Sequence, residues 1–170
     1  MKIARQSRRH ASRRGEPVIL FAVGEYSFAA PANEVDEIRD LHGLESIEEA
    51  TRRTSVSKVG ATLERSGKSY FVVNAARHFG LRPTEPSRLM VLRGQPIAVL
   101  VDNIDRMAEI EKILPLPKAF CGEERRWYRG LALMSETAIP VVNMSSFLTP
   151  AEQVVARSVI SRLAGRGVSA

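Results

Sequence analysis

The chain of 170 residues carries the same apolar pattern twice. Phe28–Ile38 (FAAPANEVDEI) matches Ile97–Met107 (IAVLVDNIDRM), apolar position against apolar position, at an offset of 69 residues. Phe71–Phe79 (FVVNAARHF) and Pro140–Leu148 (PVVNMSSFL) have the same offset of 69 and share the letters VVN. The offset exceeds the ~20–50-residue period of solenoid repeats, so each copy is long enough for a small subdomain with its own core. The sequence therefore predicts a duplicated body.

Most of this body reads as short strands. The apolar runs are rich in β-branched and aromatic residues, and turn signals such as Ser66-Gly67 and Arg93-Gly94 separate them. Many short strands at this spacing are typical of small barrels or a sandwich. A connector at residues 80–87, which two prolines keep extended, is predicted between the two copies. The predicted strands are Val18–Val23, Tyr26–Ala30, Val56–Leu63, Tyr70–Val73, Leu89–Leu92, Ile97–Val101, Leu131–Met134 and Ile139–Val142.

The C-terminal segment changes to a helical pattern. Thr149-Pro150-Ala151-Glu152 places a capping hydroxyl, a first-turn proline and a glutamate at the spacing of a capping box. Val155, Val159 and Leu163 then follow at four-residue steps, which gives the helix an apolar face. A helix packed on the body is favoured over an amphipathic helix bound to a membrane.

The net charge of +6 comes from the N-terminus. Six basic residues and no acid lie within residues 1–14, and the remaining residues hold 19 basic and 19 acidic side chains. Residues 1–16 are therefore expected to form a basic disordered tail, and removal of residues 1–14 is expected to leave folding intact. No apolar run approaches the ~18 residues of a membrane span, and the single cysteine, Cys121, fits a reducing compartment. These features predict a cytoplasmic protein.

No catalytic, cofactor or metal site can be assembled from the residues. The chain lacks GxSxG, Walker and GxGxxG motifs, and its histidines have no zinc spacing to its one cysteine. Asp102 and Asp105 lie three residues apart after an apolar strand, where acids more often cap a strand end than catalyse. The sequence therefore predicts a non-enzymatic protein without cofactor or metal. The histidines are His10, His42 and His78.

Four stretches resemble the CheW-like domain, the coupling module of bacterial chemotaxis. Phe21–Ile38 is similar to the opening hairpin and "V-x-E-I" segment of the family, and Phe71–Leu81 to its "PVVDLRRRFGL" segment. Ile97–Ile104 resembles "gLLVDsV", and Tyr128–Leu148 resembles the closing "irGva…vlLLDle.LL" run. The four stretches occur in the order of the family and cover about residues 17–149.

The chain also departs from the family pattern. Gly60–Gly67 reads GATLERSG where the family has "G-x-x-N-x-R-G", and a serine separates Arg65 from the glycine. The aspartates of the two "VVD" positions are Asn74 and Asn143 here. Since these changes fall partly on the interaction surface of the family, they bear on which partners the protein couples.

The resemblance implies a mainly β fold of two small SH3-like five-stranded β-barrels that share a core, which agrees with the duplication. The CheW-like domain would span residues 17–149, and residues 150–170 would form the C-terminal helix and tail. In function, the resemblance implies a chemotaxis adaptor that joins the cytoplasmic tip of a chemoreceptor (a methyl-accepting chemotaxis protein) to the regulatory domain of a CheA-type histidine kinase.

The resemblance places receptor contact in a hydrophobic groove between the subdomains and kinase contact on the barrel ends. For the apolar candidates Val35, Val101 and Ile104, ordinary core packing is an equally good interpretation. The charged candidates Glu37 and Arg65 are expected to be exposed, with Arg65 at the rim of the first barrel. Two alternatives stay open: a barrel-fold nucleic-acid-binding protein that uses the basic arm, and a divergent CheW-like regulator of a non-motility pathway. The candidate partner-binding residues are Val35, Glu37, Arg65, Val101 and Ile104.

Overall fold

The computed structural model, which describes residues 15–167, contains strands arranged in two six-stranded sheets. The first sheet, sheet 1, contains β3 Val35–Arg39, β4 Leu44–Ser46, β5 Val59–Arg65, β6 Lys68–Asn74, β7 Arg88–Leu92 and β8 Ile97–Val101. The second, sheet 2, contains β1 Glu16–Val23, β2 Tyr26–Pro31, β9 Asn103–Ile110, β10 Ile113–Leu114, β11 Tyr128–Met134 and β12 Thr137–Val142. The helices are α1 Glu48–Thr51, α2 Ala75–His78 and α3 Pro150–Arg166.

The two sheets have the same internal arrangement. Sheet 1 has the order β3-β7-β8-β6-β5-β4, and sheet 2 has the order β9-β1-β2-β12-β11-β10. The central pairs β6–β8 and β2–β12 are parallel, and the other neighbours are antiparallel. Sheet 2 takes four strands, β9 to β12, from the second half of the chain and two of its inner strands, β1 and β2, from the beginning. The N-terminal hairpin therefore completes the sheet built by the C-terminal half.

The sheets differ from the expected barrels in two respects. Each sheet has six strands instead of five, and its strand order runs between two end strands instead of closing on itself. Closed five-stranded SH3-like barrels are therefore not confirmed, and the duplication stays a prediction. Residues 80–87 form the loop between α2 and β7, so they connect two parts of sheet 1. The chain passes from sheet 1 to sheet 2 at Asp102, between β8 and β9.

Alternate residues of the strands enter different apolar clusters, as the two-residue period of a strand requires. In β1, Ile19 and Phe21 point into a large cluster that takes residues from both sheets, whereas Val18 and Leu20 point into a cluster made by sheet 2 alone. Sheet 1 has a third cluster of its own, around Leu63. The sheets thus share one core, and each also has a core of its own.

The C-terminal helix begins where the sequence predicts. The Thr149 hydroxyl accepts the Glu152 N–H at 3.2 Å and the Glu152 carboxylate accepts the Thr149 N–H at 2.8 Å, which completes the capping box. Ala156 and Val159 are buried, but Leu163 is partly exposed, so the helix packs through its first three turns. No helix within the described residues is long and apolar enough to cross a membrane.

The expected basic tail falls almost entirely outside the described residues. Residues 1–14 are not among them, so the prediction of disorder there stays a prediction. Glu16, however, is the first residue of β1, and its carboxylate forms an ion pair with Arg129 at 3.0 Å. The ordered body therefore begins before residue 17.

Candidate partner-binding site

Arg65 is the centre of a cluster of charged side chains at one end of sheet 1. Its Nε donates to the Glu37 carboxylate at 2.6 Å and its Nη2 to the Asp36 carboxylate at 2.8 Å. Its Nη1 donates to the Tyr70 hydroxyl at 3.3 Å, and Arg93 approaches Asp36 from the other side at 3.7 Å. The Tyr70 hydroxyl and the two carboxylates raise the pKa of Arg65 above its ordinary value, so the guanidinium stays charged.

A bulge in β3 brings both carboxylates to the same guanidinium. In a regular strand, consecutive side chains point to opposite faces. Here Val35 pairs with Leu92 and Glu37 with the next residue, Val91, so Asp36 is the extra residue of a β-bulge. The bulge turns Asp36 and Glu37 toward Arg65 together, and a sequence pattern of period two does not predict this.

The hairpin between β5 and β6 places Arg65 opposite those carboxylates. Ser66 and Gly67 both have positive φ, 50° and 74°, which makes a tight two-residue turn directly after Arg65. Although three strands separate β3 from β5 in sheet 1, the guanidinium reaches from β5 to β3. Sheet 1 is therefore curved enough for a side chain of β5 to reach β3, although the two strands are not neighbours in the sheet.

The five candidate residues do not form one open surface. Val35 and Val101 are buried in the shared core at 7% and 0% exposure, and the half-buried Ile104 packs against the same core. Glu37 and Arg65 are partly exposed but are paired with each other, so Arg65 does not project freely from the rim as expected. These positions favour core packing for Val35 and Val101, and a binding role for the five residues stays a prediction.

Asp102 connects three separate segments, a role that the sequence indicated only in general terms. Its carboxylate accepts the Gly24 N–H at 2.7 Å and the Thr84 hydroxyl at 2.6 Å, and its own N–H donates to the Ala22 carbonyl at 3.0 Å. Ser87 donates its hydroxyl to the Asp102 carbonyl. Asp102 thus holds the β1–β2 turn and the connector of residues 80–87 against the junction of the two sheets, which agrees with its interpretation as a strand-end acid.

An open groove lies between the segments that Asp102 holds. It has a volume of about 600 Å³ and is lined by residues 23–26 of the first hairpin and residues 80–84 of the connector. Tyr26 is 57% exposed there, and Leu81 and Pro83 add apolar surface. The groove was not predicted, because the connector was expected to separate the two copies of the repeat.

His78 is a buried polar residue whose surroundings keep it neutral. Its ring packs among those of Phe79, Trp127 and Phe147, and Lys58 lies 3.2 Å from its Nδ1. Burial and, secondarily, the charge of Lys58 lower the pKa of His78 to about 3. Lys58 also pairs with Glu152 at 3.1 Å, so the cluster ties α2 to the start of α3.

Among residues 15–167, no group of three histidine, cysteine or carboxylate side chains is arranged to hold a metal ion.

Comparisons with known proteins agree with the fold. A family model described as the CheW-like domain matches residues 17–153. Among solved structures, the scaffolding protein TtCheW from Thermoanaerobacter tengcongensis is similar, with a TM-score of 0.67 at 16% identity, over 80% of this chain and 94% of that chain. No curated protein matches in a sequence comparison. Since the family match covers most of the chain and the resemblance seen in the sequence is confirmed, the protein belongs to the CheW-like domain family.

Proposed function

We propose that the protein is a non-enzymatic cytoplasmic adaptor that couples chemoreceptors to a CheA-type histidine kinase. The observation that carries this proposal is the family match over residues 17–153, which includes both sheets and the start of α3. The likeness to a chemotaxis scaffolding protein supports it through the fold. An adaptor needs binding surfaces in place of a reactive centre, and the body of this protein is made of sheet surfaces and edges.

The two sheets would supply the two surfaces. We infer that they descend from one duplicated six-stranded unit, because the order and direction of their strands correspond one to one. The curled form of sheet 1, with Arg65 bridging β5 and β3, supports an ancestry from SH3-like barrels. One sheet would then face the receptor and the other the kinase, each with its own exposed edges.

The receptor-side rim is proposed at the charged cluster of Asp36, Glu37 and Arg65. Their side chains are 38%, 37% and 26% exposed, so each keeps hydrogen-bonding capacity toward a partner. Val35, Val101 and Ile104 would contribute from below by fixing the positions of β3 and of the junction between the sheets. Their role would be positioning more than direct contact.

Binding measurements with defined partners test the proposal. The purified full chain is titrated by calorimetry with the cytoplasmic fragment of a chemoreceptor and with the regulatory domain of a CheA-type kinase, both from the same genome. We expect binding to each and a ternary complex at saturation. Failure to bind either partner, with the chain folded by circular dichroism, would contradict the proposal.

The nucleic-acid alternative gains no support from the described residues. Binding of single strands needs aromatic side chains on a basic surface. Within residues 15–167, Tyr26 is the only aromatic residue that is more than half exposed, and several phenylalanines stack inside the core. Salt-sensitive retention on DNA or RNA after removal of residues 1–14 would instead favour a nucleic-acid-binding protein. A regulator of a non-motility pathway would instead bind the kinase of that pathway in the same titration.

A further inference from the structure

A small apolar groove lies between α1 and α3, away from the candidate residues and from the groove beside Asp102. It has a volume of about 170 Å³, and Ala50, Val159 and Leu163 supply its apolar lining. Leu163 is 37% exposed, whereas Val159 is buried. Arg162 and Arg166 of α3 line it as well. The groove can therefore take an aliphatic side chain between two cations.

The surroundings of this groove carry an excess of unpaired positive charge. The segments around the groove are α1, residues 52–53 and α3. In these segments Glu48 pairs with Arg77 and Glu152 pairs with Lys58, so both glutamates are neutralised. Glu49 is the one further acid of these segments. Within residues 15–167, five exposed arginines of these segments form no ion pair: Arg52, Arg53, Arg157, Arg162 and Arg166.

We propose that the α1–α3 groove binds an acidic amphipathic helix of a partner protein. An aliphatic side chain of that helix fills the space beside Leu163, and its flanking carboxylates bind the guanidinium groups of Arg162 and Arg166. Arginine suits this role because its planar fork can bind a carboxylate with two hydrogen bonds. None of the five candidate partner-binding residues lines this groove, so the proposal adds a third interaction surface to the two that the proposed function needs.

The arrangement of apolar residues on α3 favours a protein helix over a membrane. Val154 is 64% exposed and Leu163 is 37% exposed, but their separation of nine positions, at about 100° per residue, puts them on opposite sides of the helix. A helix that lies in a membrane surface needs one continuous apolar face. The basic residues 1–14 of the chain itself would be repelled by the same arginines.

A designed peptide tests the groove directly. The probe is a fluorescein-labelled helical peptide of about 16 residues with leucines on one face and glutamates beside them, and a scrambled peptide of the same composition is its control. Fluorescence anisotropy with the full chain should show the amphipathic peptide binding at least about ten-fold more tightly than the scrambled one.

Charge-reversal variants locate the binding. Arg162→Glu/Arg166→Glu should weaken binding of the amphipathic peptide about ten-fold or more, because attraction becomes repulsion. Arg82→Glu/Arg106→Glu makes the same change of charge at exposed arginines outside the groove and should leave the affinity within about two-fold. Melting temperatures of both variants, compared with that of the unchanged chain, show that each is folded.

Several outcomes would overturn the proposal. They are absence of peptide binding, equal binding of the scrambled peptide, or equal weakening by both double variants. Binding of phosphatidylserine vesicles or duplex DNA, lost in Arg162→Glu/Arg166→Glu while the peptide does not bind, would assign the face to a membrane or a nucleic acid. Because receptor and kinase titrations use other surfaces, the proposed function can fail or hold independently.

Discussion

At the scale of single residues, Arg65 shows how a side chain expected to be free can be engaged within the protein. Its guanidinium has three polar partners on two other strands, β3 and β6, which a position next to a turn does not indicate. Exposed ion pairs contribute little singly, but one guanidinium shared by two carboxylates and a hydroxyl holds strands together. Arg65 therefore has both a structural role and the exposure needed for binding.

Replacing Arg65 separates these two roles. Arg65→Ala should lower the melting temperature by a few degrees, because Asp36 and Glu37 are left facing each other. Arg65→Lys should recover only part of this loss, since an ammonium cannot reproduce the fork. Thermal unfolding followed by circular dichroism measures both, with the exposed Arg88→Ala as the control. If Arg65→Ala melts like the unchanged chain but binds the receptor fragment less tightly, the cluster serves binding alone.

His78 should make stability depend on pH. Its pKa is about 3 in the folded protein and ordinarily about 6.5, so the unfolded chain binds the proton first as the pH falls. The stabilisation is complete above pH ~6.5 and is lost progressively toward pH ~3, by about 2 kcal/mol between pH 7 and 5. Urea unfolding of the unchanged chain and of His78→Leu at several pH values measures the difference. Identical pH dependence of the two proteins would show that His78 is not buried in its neutral form.

At the scale of elements, β9 and α3 show two different relations between sequence and structure. The β9 strand is mostly exposed and shows no clear alternation of buried and exposed residues, so the sequence did not predict it. It is a strand because it pairs with residues Glu16 to Ala22 of β1. The α3 helix begins at a capping box whose hydrogen bonds lie within four residues, so the sequence predicted its first residue. Elements set by local hydrogen bonds are predictable, and elements set by a distant partner are not.

The capping box of α3 gives a prediction for stability. Thr149→Ala removes the acceptor for the Glu152 N–H and should cost about 1 kcal/mol of unfolding free energy. Ser158→Ala, an exposed change within the same helix, serves as the control and should be close to neutral. Urea denaturation followed by far-ultraviolet circular dichroism measures both variants. Equal stabilities would mean that packing alone positions the helix.

Gly130 should tolerate no side chain. It lies at a β-bulge in β11, and a Cβ there would overlap the carbonyl oxygen of Leu114 and the side chain of Ile113 in β10. Gly130→Ala should therefore destabilise the protein by about 2 kcal/mol or more, as backbone clashes usually do. Gly165→Ala, in open space on α3, should instead be neutral or stabilising by up to ~1 kcal/mol. Denaturant unfolding compares the two, and a harmless Gly130→Ala would show that β10 can move away.

At the scale of the whole molecule, the β1–β2 hairpin joins the two ends of the described chain. β2 pairs in parallel with β12, and β1 pairs with β9, so the hairpin occupies the middle of sheet 2. Phe21 and Phe28 of this hairpin also belong to the core shared by both sheets. Folding of the C-terminal half therefore depends on residues at the beginning of the chain.

Two truncations test this dependence. Removing residues 1–14 should leave the melting temperature unchanged, because this segment has only one large aliphatic residue, Ile3, and no periodic apolar pattern. Removing residues 1–31 should abolish cooperative unfolding, because sheet 2 loses two inner strands and the shared core loses both phenylalanines. Differential scanning calorimetry distinguishes the two results. A cooperative transition after the longer deletion would show that sheet 1 folds without its partner.

Local sequence patterns predicted the mainly β class, most strand positions, the start of α3 and the resemblance to the CheW-like family. These follow from residue preferences, turns and caps that act over a few positions, and from apolar patterns long enough to compare. Three features became visible in the folded structure alone: the first hairpin completes sheet 2, β9 is a strand, and Arg65 and Asp102 each join segments distant in the sequence. Each of these depends on hydrogen bonds between residues far apart along the chain, whose pairing no local pattern specifies.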